Sequence, residues 1–385
     1  MSKAFHLKGK KYNCIKNGVP YFRKTAVING KQRSFYGDGE KDALRKIEEA
    51  KALVQQGFDF DKRTAKTDEV FRSWLFDVKR VDRNIKDSTF SAYERQYRKF
   101  ISDQPLGRTT LSKLTSSVLQ RCLNEQYESG NASGKNIGYF MTLFKQFCKW
   151  AVNEGFLTKN PSTNIVIPGE RVKGKKTIET FTEEERRTLL LYMEESGYIY
   201  DDLIKLAFAT GMRKGELLAL RWDDIDGNVI HVKQTKVEYD HIGPDGSKER
   251  RQMVWDTKTA AGTRDIPLLD ETAKMLADLH HKQKLFCFKN KLPQSKYVFI
   301  NKNGNLIAAS NLDESYRRLL ERAGIPYKKF HTIRHTFATE AIRRGVPVKD
   351  LQMLMGHTDI ATTYIYVHAN ESTKREAIEL MGKLM

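Results

Sequence analysis

Hydrophobic and polar positions alternate with different periods along the 385-residue chain, and each change of period marks a new part. Lys10–Lys16, Val19–Ile28 and Lys31–Tyr36 read as three short strands. They are joined by Asn17-Gly18 and Asn29-Gly30, the pair favoured in two-residue hairpin turns. Glu40–Gln56 then sets Ala43, Leu44, Ile47, Ala50 and Leu53 at helical spacing, so a three-stranded sheet should bury one face on this helix and leave the other free.

From Thr67 to Pro168 the period is helical throughout. Val70, Trp74, Leu75 and Val78 mark a first helix. Phe90, Tyr93, Tyr97 and Phe100 mark a second, with Ser88 as its expected N-cap, and Thr115–Glu128 reads as a third. Phe140, Leu143, Phe144, Phe147, Trp150 and Ala151 mark a fourth, closed by Gly155 and Asn160-Pro161. A bundle of four or five helices follows, with the aromatics as its core. Arg171–Thr180 has no apolar period and four basic residues; it is a linker, either a phosphate-tracking strap through Lys173, Lys175 and Lys176 or a solvated connector.

The remainder mixes periods. Thr182 to Glu185 forms a capping box opening a helix, and Leu203–Ala209 gives a second helix ending at Thr210-Gly211. Leu217, Leu218 and Leu220 supply a buried side behind Arg213, which leaves Arg213 and Glu216 together on the opposite face. Asn228–Val232 reads as a strand, Met253–Asp256 and Thr263–Leu268 as a hairpin with Lys258 in its turn, and Tyr239–Lys248 as an exposed loop. Helices resume at Glu271–Lys284 and Asn311–Ala323.

Charge narrows the partners. The formal net charge is +19 with a pI near 9.5, the excess of a protein that neutralises phosphates. Residues 1–66 hold 16 Lys or Arg against 7 Asp or Glu, while residues 67–170 hold 15 against 11, so the excess is concentrated at the N-terminus. Arg23, Lys24, Lys31 and Arg33 make the free sheet face, or its rim, a candidate reader of a DNA groove. Cys14, Cys122, Cys148 and Cys287 lack a C-x-x-C pair, which argues against zinc modules and disulfides and fits a reducing cytosol. No apolar run approaches the roughly 18 residues of a membrane span.

The densest chemistry lies between Lys329 and His368. His331 and Arg334 share a helix face where both reach one anion. Gly345 and Pro347 stop that helix, and a second periodic run ends at Gly356, leaving His357 just past a helix end. Arg334 offers a planar fork to phosphate oxygens, the histidines exchange protons, and Tyr366 is a hydroxyl nucleophile. His335 follows His331 at i+4, but the Glu of H-E-x-x-H is missing, so no metal site is expected and His335 reads as a packed or hydrogen-bonded histidine.

Thr210-Gly211-Met212-Arg213-Lys214-Gly215-Glu216-Leu217, Lys258, His331-Thr332-Ile333-Arg334, Leu354-Met355-Gly356-His357 and Thr362-Thr363-Tyr364-Ile365-Tyr366 together resemble, in order, the motifs of the tyrosine recombinase (phage integrase) family. The N-terminal hairpins are similar to the arm-binding domain of integrases from conjugative transposons of Gram-positive bacteria. The resemblance implies that Arg213 and Arg334 clamp the phosphate, with Glu216 supporting Arg213. Lys258 is then general acid, His331 proton acceptor, His357 a transition-state donor and Tyr366 the nucleophile. Tyr364 is the alternative, but the pattern Gly-His-x-x-x-x-Thr-Thr-x-x-Tyr falls on Tyr366.

The expected architecture is multidomain α+β. It comprises an arm-type DNA-binding domain over 1–66 (small sheet plus helix), a helical core-binding domain over 67–170 and a linker over 171–180. The catalytic domain, mainly helical with a small antiparallel sheet, spans 181–385. The resemblance further implies site-specific integration and excision of a mobile element through a 3′-phosphotyrosyl intermediate, with no cofactor and no metal. The implied partners are double-stranded DNA with core-type and arm-type sites, a homotetramer on that DNA, and an excisionase or host DNA-bending protein, in the bacterial cytoplasm at the nucleoid. The tail Glu371–Met385 either caps its own domain or docks on a neighbouring subunit. A catalytically silent DNA-binding regulator and a DNA-relaxing topoisomerase are the competing readings.

Overall fold

The computed structural model describes residues 5–7, 9–16, 18–55, 58–59, 61–169, 178–256 and 262–367. Lys173, Lys175, Lys176, Lys258 and the tail Glu371–Met385 lie outside the described residues. The chain divides into two compact units, Met1–Lys173 with Asp240–Glu249, and Gly174–Tyr239 with Arg250–Met385.

The first unit opens with β1 (Phe5–Leu7), β2 (Lys10–Tyr12), β3 (Cys14–Lys16), β4 (Val19–Ile28) and β5 (Lys31–Gly37), followed by α1 (Glu40–Gln55). Strands β3, β4 and β5 form the expected antiparallel sheet, and β1 pairs with β2 separately. The single strand expected over residues 10–16 is split at Asn13. Its side chain takes over the backbone rung, accepting from Arg23 N–H (2.5 Å) and donating to Arg23 C=O (2.7 Å). Asn29 and Gly30 both have positive φ (50° and 73°), the requirement of a type I′ turn. Ala43, Ile47 and Ala50 of α1 bury against the sheet, and a Cβ at Gly37 would stand 2.2 Å from the Ala43 nitrogen, so only glycine lets the helix sit this close.

Next come α2 (Thr67–Ser73), α3 (Asp87–Phe100), α4 (Pro105–Arg108), α5 (Ser116–Glu128) and α6 (Gly134–Asn153). A π-helical turn, Trp74–Lys79, continues α2, with Arg80 N–H bonded to Leu75 C=O. That wide turn rotates the helix, so Trp74 and Leu75 are buried while Val78, placed with them by helical spacing, is exposed. Ser88 is not an N-cap; α3 begins at Asp87, with Lys86 in the cap position. Thr115 and Ser133 do cap α5 and α6 through their hydroxyls. The aromatics form the core as expected, with Phe100 stacked on Phe140 (4.4 Å) and Phe71 against Phe147 (4.8 Å).

The second unit holds α7 (Glu183–Ser196), α8 (Asp201–Thr210), α9 (Lys214–Leu217), β6 (Ile225–Asp226) and β7 (Val229–Val232). Two longer strands, β8 (Gln234–Ile242) and β9 (Lys248–Asp256), form a ribbon whose far end, Asp240–Glu249, belongs to the first unit. After them come β10 (Arg264–Pro267), α10 (Asp270–Lys289), α11 (Ala309–Arg322), α12 (His331–Arg343), α13 (Val348–Met355) and α14 (Ala361–Val367). The expected hairpin of Met253–Asp256 with Thr263–Leu268 does not form. β9 pairs with β8, half of the expected loop Tyr239–Lys248 is strand with a turn over 243–247, and β10 pairs with β7. The charges of Lys236, Glu238 and Asp240 hide β8 from a hydrophobic reading, yet Lys236 and Glu238 neutralise each other as a buried pair. Among the described residues no helix is long and apolar enough to cross a membrane.

Phe144 is fully buried among Phe71, Phe140 and Phe147. Phe144→Ala should therefore cost about 3–5 kcal/mol of stability, read by equilibrium denaturation; a loss below about 1 kcal/mol would contradict this packing.

Candidate active site

All of the site's described residues belong to the second unit, and the chain ends of two helices build its frame. α8 stops at Gly211 and α13 at Gly356, both left-handed with φ of 62°. A Cβ on Gly211 would stand 2.5 Å from the Phe337 ring, so this turn needs glycine for space as well as for φ. The carbonyls freed at these helix ends then accept from arginines. Arg334 Nη1 donates to Gly211 (2.7 Å) and Nη2 to Met355 (2.5 Å). Arg213 Nη2 donates to Gly356 (2.9 Å), and Arg264 Nε to Leu354 (2.6 Å).

Glu216 ties the arginines to one another. Its carboxylate accepts from Arg264 at both oxygens (3.1 and 2.8 Å), from Arg213 Nη1 (2.8 Å) and from the Arg213 N–H (2.9 Å). Only 3% of the residue is exposed, so of the two side chains expected on one face Glu216 is interior while the Arg213 side chain stays partly open to solvent. Burial opposes the negative charge, but Arg264 and Arg213 outweigh it and hold the carboxyl below its ordinary range. Arg334, also buried, is pulled down to about 9 by burial and then by Arg213, and it stays charged at neutral pH. Two guanidiniums thus bond one carboxylate and a third, Arg334, lies close by, an excess of positive charge that a bound anion would balance.

The remaining groups line this cluster. His357 receives Arg334 Nη2 at Nε2 (3.0 Å) and meets Thr363 Oγ1 at Nδ1 (2.9 Å), which fits a neutral ring with its proton on Nδ1. Burial and the neighbouring arginines, Arg334 first, lower His357 to about 4. His331 lies at the head of α12, partly open to solvent. Its pKa is also lowered to about 4, by burial and then by His335, Arg334 and Arg213. Tyr366 is 2% exposed, and its ring lies 6.4 Å from that of His357 with the two planes nearly parallel. Burial raises the phenol above its ordinary value, while Arg334 and Arg213 pull the other way.

The structure therefore brings Arg213, Glu216, His331, Arg334, His357 and Tyr366 together, and leaves Tyr364 44% exposed. Lys258 is outside the described residues. Of its basic neighbours, Lys236 is already bonded to Glu238 and the Ile307 carbonyl. In the N-terminal sheet, the β4–β5 register puts Arg23 on the free face opposite Tyr36. Lys24, Arg33 and Lys31 pair with Phe35, Ala26 and Ile28 on the helix-covered side, at its rim, where Lys31 and Arg33 meet Asp61. Two site residues escaped the sequence reading. Arg264 shares the buried parity of Ile266 in β10, a signal visible in the alternation, and His335 is hydrogen-bonded as expected, but to Tyr366 Oη (2.9 Å).

Known proteins share this arrangement to different extents. Residues 179–373 match the phage integrase family. A tyrosine recombinase XerC-like protein of Caldanaerobacter subterraneus subsp. tengcongensis is 36% identical over 97% of this chain and 99% of its own. The tyrosine recombinase XerD of Staphylococcus haemolyticus is 25% identical over 77% of this chain and 92% of its own. Among solved structures, the Tn1549 transposon integrase in complex with a circular intermediate DNA superposes with a TM-score of 0.66 at 21% identity, covering 82% of this chain and 99% of that one. A lambda integrase dimer bound to a COC′ core site gives 0.57 at 17% identity, covering 92% and 93%.

The histidine shifts carry a sign. An unfolded histidine titrates near pH 6.5, whereas His357 in the fold titrates at about 4, so between these values the unfolded chain binds more protons. The stability associated with neutral His357 is fully present above about pH 6.5 and is lost as the pH falls towards 4. Urea unfolding at pH 7 and pH 4.5 should show this decline, and His357→Gln should flatten it by up to about 2 kcal/mol; an unchanged pH slope in the variant would contradict the assignment.

Proposed function

The chain belongs to the phage integrase family of tyrosine recombinases, enzymes that cut and rejoin DNA, and from that membership we propose that it integrates and excises a mobile genetic element at specific sites. The observation that carries the reading is the convergence of Arg213, His331 and Arg334 of α12, His357 and Tyr366 into one positively charged cluster.

Each group has a role in this reading. Arg213 and Arg334 bind the nonbridging oxygens of the scissile phosphate, where charge builds in the transition state, and His357 adds a contact to the same oxygens. Tyr366 oxygen bonds to phosphorus as the bond to the 5′ oxygen breaks. The phenolic proton passes to His331, and Lys258 supplies a proton to the leaving 5′ oxygen. A 3′-phosphotyrosyl bond then stores the phosphodiester, so rejoining needs no nucleotide cofactor. Glu216, held by Arg264, keeps Arg213 oriented.

The same reading divides the chain functionally into an arm-type DNA-binding domain (1–66), a core-binding domain (67–170), a linker (171–180) and a catalytic domain (181–385). Lys173, Lys175 and Lys176 track the backbone in the linker. The protein works as a tetramer on core-type and arm-type duplexes in the bacterial cytoplasm, with an excisionase or DNA-bending protein setting direction. The lambda integrase tetramer bound to a Holliday junction, of the same fold (TM-score 0.56, 16% identity over 90% of this chain and 92% of that one), is consistent with that assembly.

Incubation with a nicked duplex carrying the joined ends of the element should trap a covalent protein–DNA adduct. Tyr366→Phe should abolish it and Tyr364→Phe should not; the reverse pattern would overturn the nucleophile assignment. For the N-terminal sheet, Arg23→Ala should weaken binding to distal arm DNA by about 1–3 kcal/mol and relax its sequence preference, with core cleavage unchanged. Unaltered arm binding would remove Arg23 from the interface.

A further inference from the structure

We propose that His335 is a positioning residue that selects Tyr366 and holds its hydroxyl in register for attack; this rests on the reading of Tyr366 as nucleophile. The starting observation is local. Tyr366 Oη lies 2.9 Å from His335 Nδ1, whereas Tyr364, two residues earlier on the same helix, points its ring into solvent.

The helix that carries both tyrosines cannot set its own orientation. Within the described residues α14 spans Ala361–Val367, and a segment of that length does not fix its own rotation, which is set by what it packs on. Thr363 and Tyr366 are three apart and share one face. Thr363 Oγ1 meets His357 Nδ1 at 2.9 Å and Tyr366 Oη meets His335 Nδ1, while the Tyr366 ring packs with Ala338, Ile342, Leu351 and Met355. Two imidazoles on different elements thus grip one helix at two points. The apolar contacts would accept a phenylalanine equally well; among the described residues only His335 engages the hydroxyl.

His335 is placed for this task by its own helix. It sits one turn beyond His331 on α12, with the two rings 4.7 Å apart in a T-shaped arrangement, and it directly follows Arg334. A phosphate drawn to Arg334 therefore arrives next to a hydroxyl already tethered to the neighbouring residue. Preorganisation of this kind lowers the entropic part of a barrier without making a new contact to the substrate. His335 donates nothing to the phosphate; it acts through Tyr366.

The test uses the full chain and two readouts. Single-turnover adduct formation on the nicked joined-end duplex is measured for wild type, His335→Ala and His335→Asn, alongside DNA affinity. Asparagine places a side-chain amide near the position of Nδ1 and can bond the hydroxyl as donor or acceptor, but cannot take up a proton. We expect His335→Ala to slow adduct formation about 10- to 100-fold with DNA affinity unchanged, in line with loss of one buried hydrogen bond, and His335→Asn to return to within about threefold of wild type. An alanine variant within twofold of wild type, or an asparagine variant as slow as alanine while melting like wild type, would overturn the proposal. The second readout needs no DNA. Melting temperatures of His335→Ala, Tyr366→Phe and the double variant should be non-additive, because either single change already breaks the bond; strictly additive losses would overturn the contact itself. Wild type that shows this coupling but forms no adduct would reject the recombinase reading and leave the tether standing.

Discussion

Packing three guanidinium groups near one buried carboxylate, which bonds two of them, is the constraint on which the site depends. Like charges at this separation repel strongly once water is excluded, and Glu216 alone cannot neutralise Arg213, Arg264 and Arg334. The fold supplies the missing negative character from helix ends. The carbonyls of Gly211, Leu354, Met355 and Gly356 lie at the C-termini of α8 and α13, where the helix dipole is negative and the last carbonyls lack intrahelical partners. Each arginine is therefore anchored on one side by backbone and stays charged, and the cluster as a whole favours an anion. The left-handed glycines are part of this electrostatic design, since they end the two helices at the positions where the carbonyls are needed.

That framework explains why the titratable groups behave as one system. Burial above all, and with it Arg334 and Arg213 (joined at His331 by His335), lowers His331 and His357 to about 4, and the same arginines oppose the rise of the Tyr366 phenol. In the absence of DNA the imidazoles are neutral. His357 then accepts from Arg334 through Nε2, so its donor to a phosphate oxygen becomes available only after this contact changes. A bound phosphodiester would offset the positive field and raise both histidines, which couples substrate binding to the proton chemistry expected of them.

Much of the site was legible in the sequence because its residues stand next to structural punctuation. Gly211 and Gly356 end helices, so the sequence alone places Arg213 and His357 at helix boundaries. The spacing of His331 and Arg334 set them on one helix, and Tyr366 followed from its pattern. What could not be read involved pairing across the chain. β8 carries Lys236, Glu238 and Asp240, charges that mimic a loop until Lys236 and Glu238 are seen to bury each other, and missing β8 forced β9 onto the wrong partner. Arg264 and His335 escaped for a related reason: their partners, Glu216 and Tyr366, are 48 and 31 residues away, and no local pattern announces a contact at that distance. Asn13 and Ser88 failed locally, one by replacing a backbone rung with its amide, the other by lying one residue inside the turn it was expected to cap.

Bulk charge proves a poorer guide than pleat parity in the N-terminal sheet. Residues 1–66 hold 16 basic side chains, yet several already face carboxylates: Lys10 with Asp38, Lys11 with Glu40, Lys31 and Arg33 with Asp61. The free face of β4 and β5 instead presents Arg23 against Tyr36, Thr25 against Ser34 and Val27 against Gln32, and Arg23 Nε donates to Ser34 Oγ (3.1 Å). Such a surface offers directional hydrogen bonds and a little apolar area, the means of distinguishing base edges, more than a field of charge. The rim pairs contribute little stability where they are exposed and would exchange a carboxylate for a phosphate at small cost. On the arm-binding reading proposed above, non-specific attraction would fall to the rim and recognition to the face, and Arg23 is the one expected contact residue of this sheet that belongs to the face.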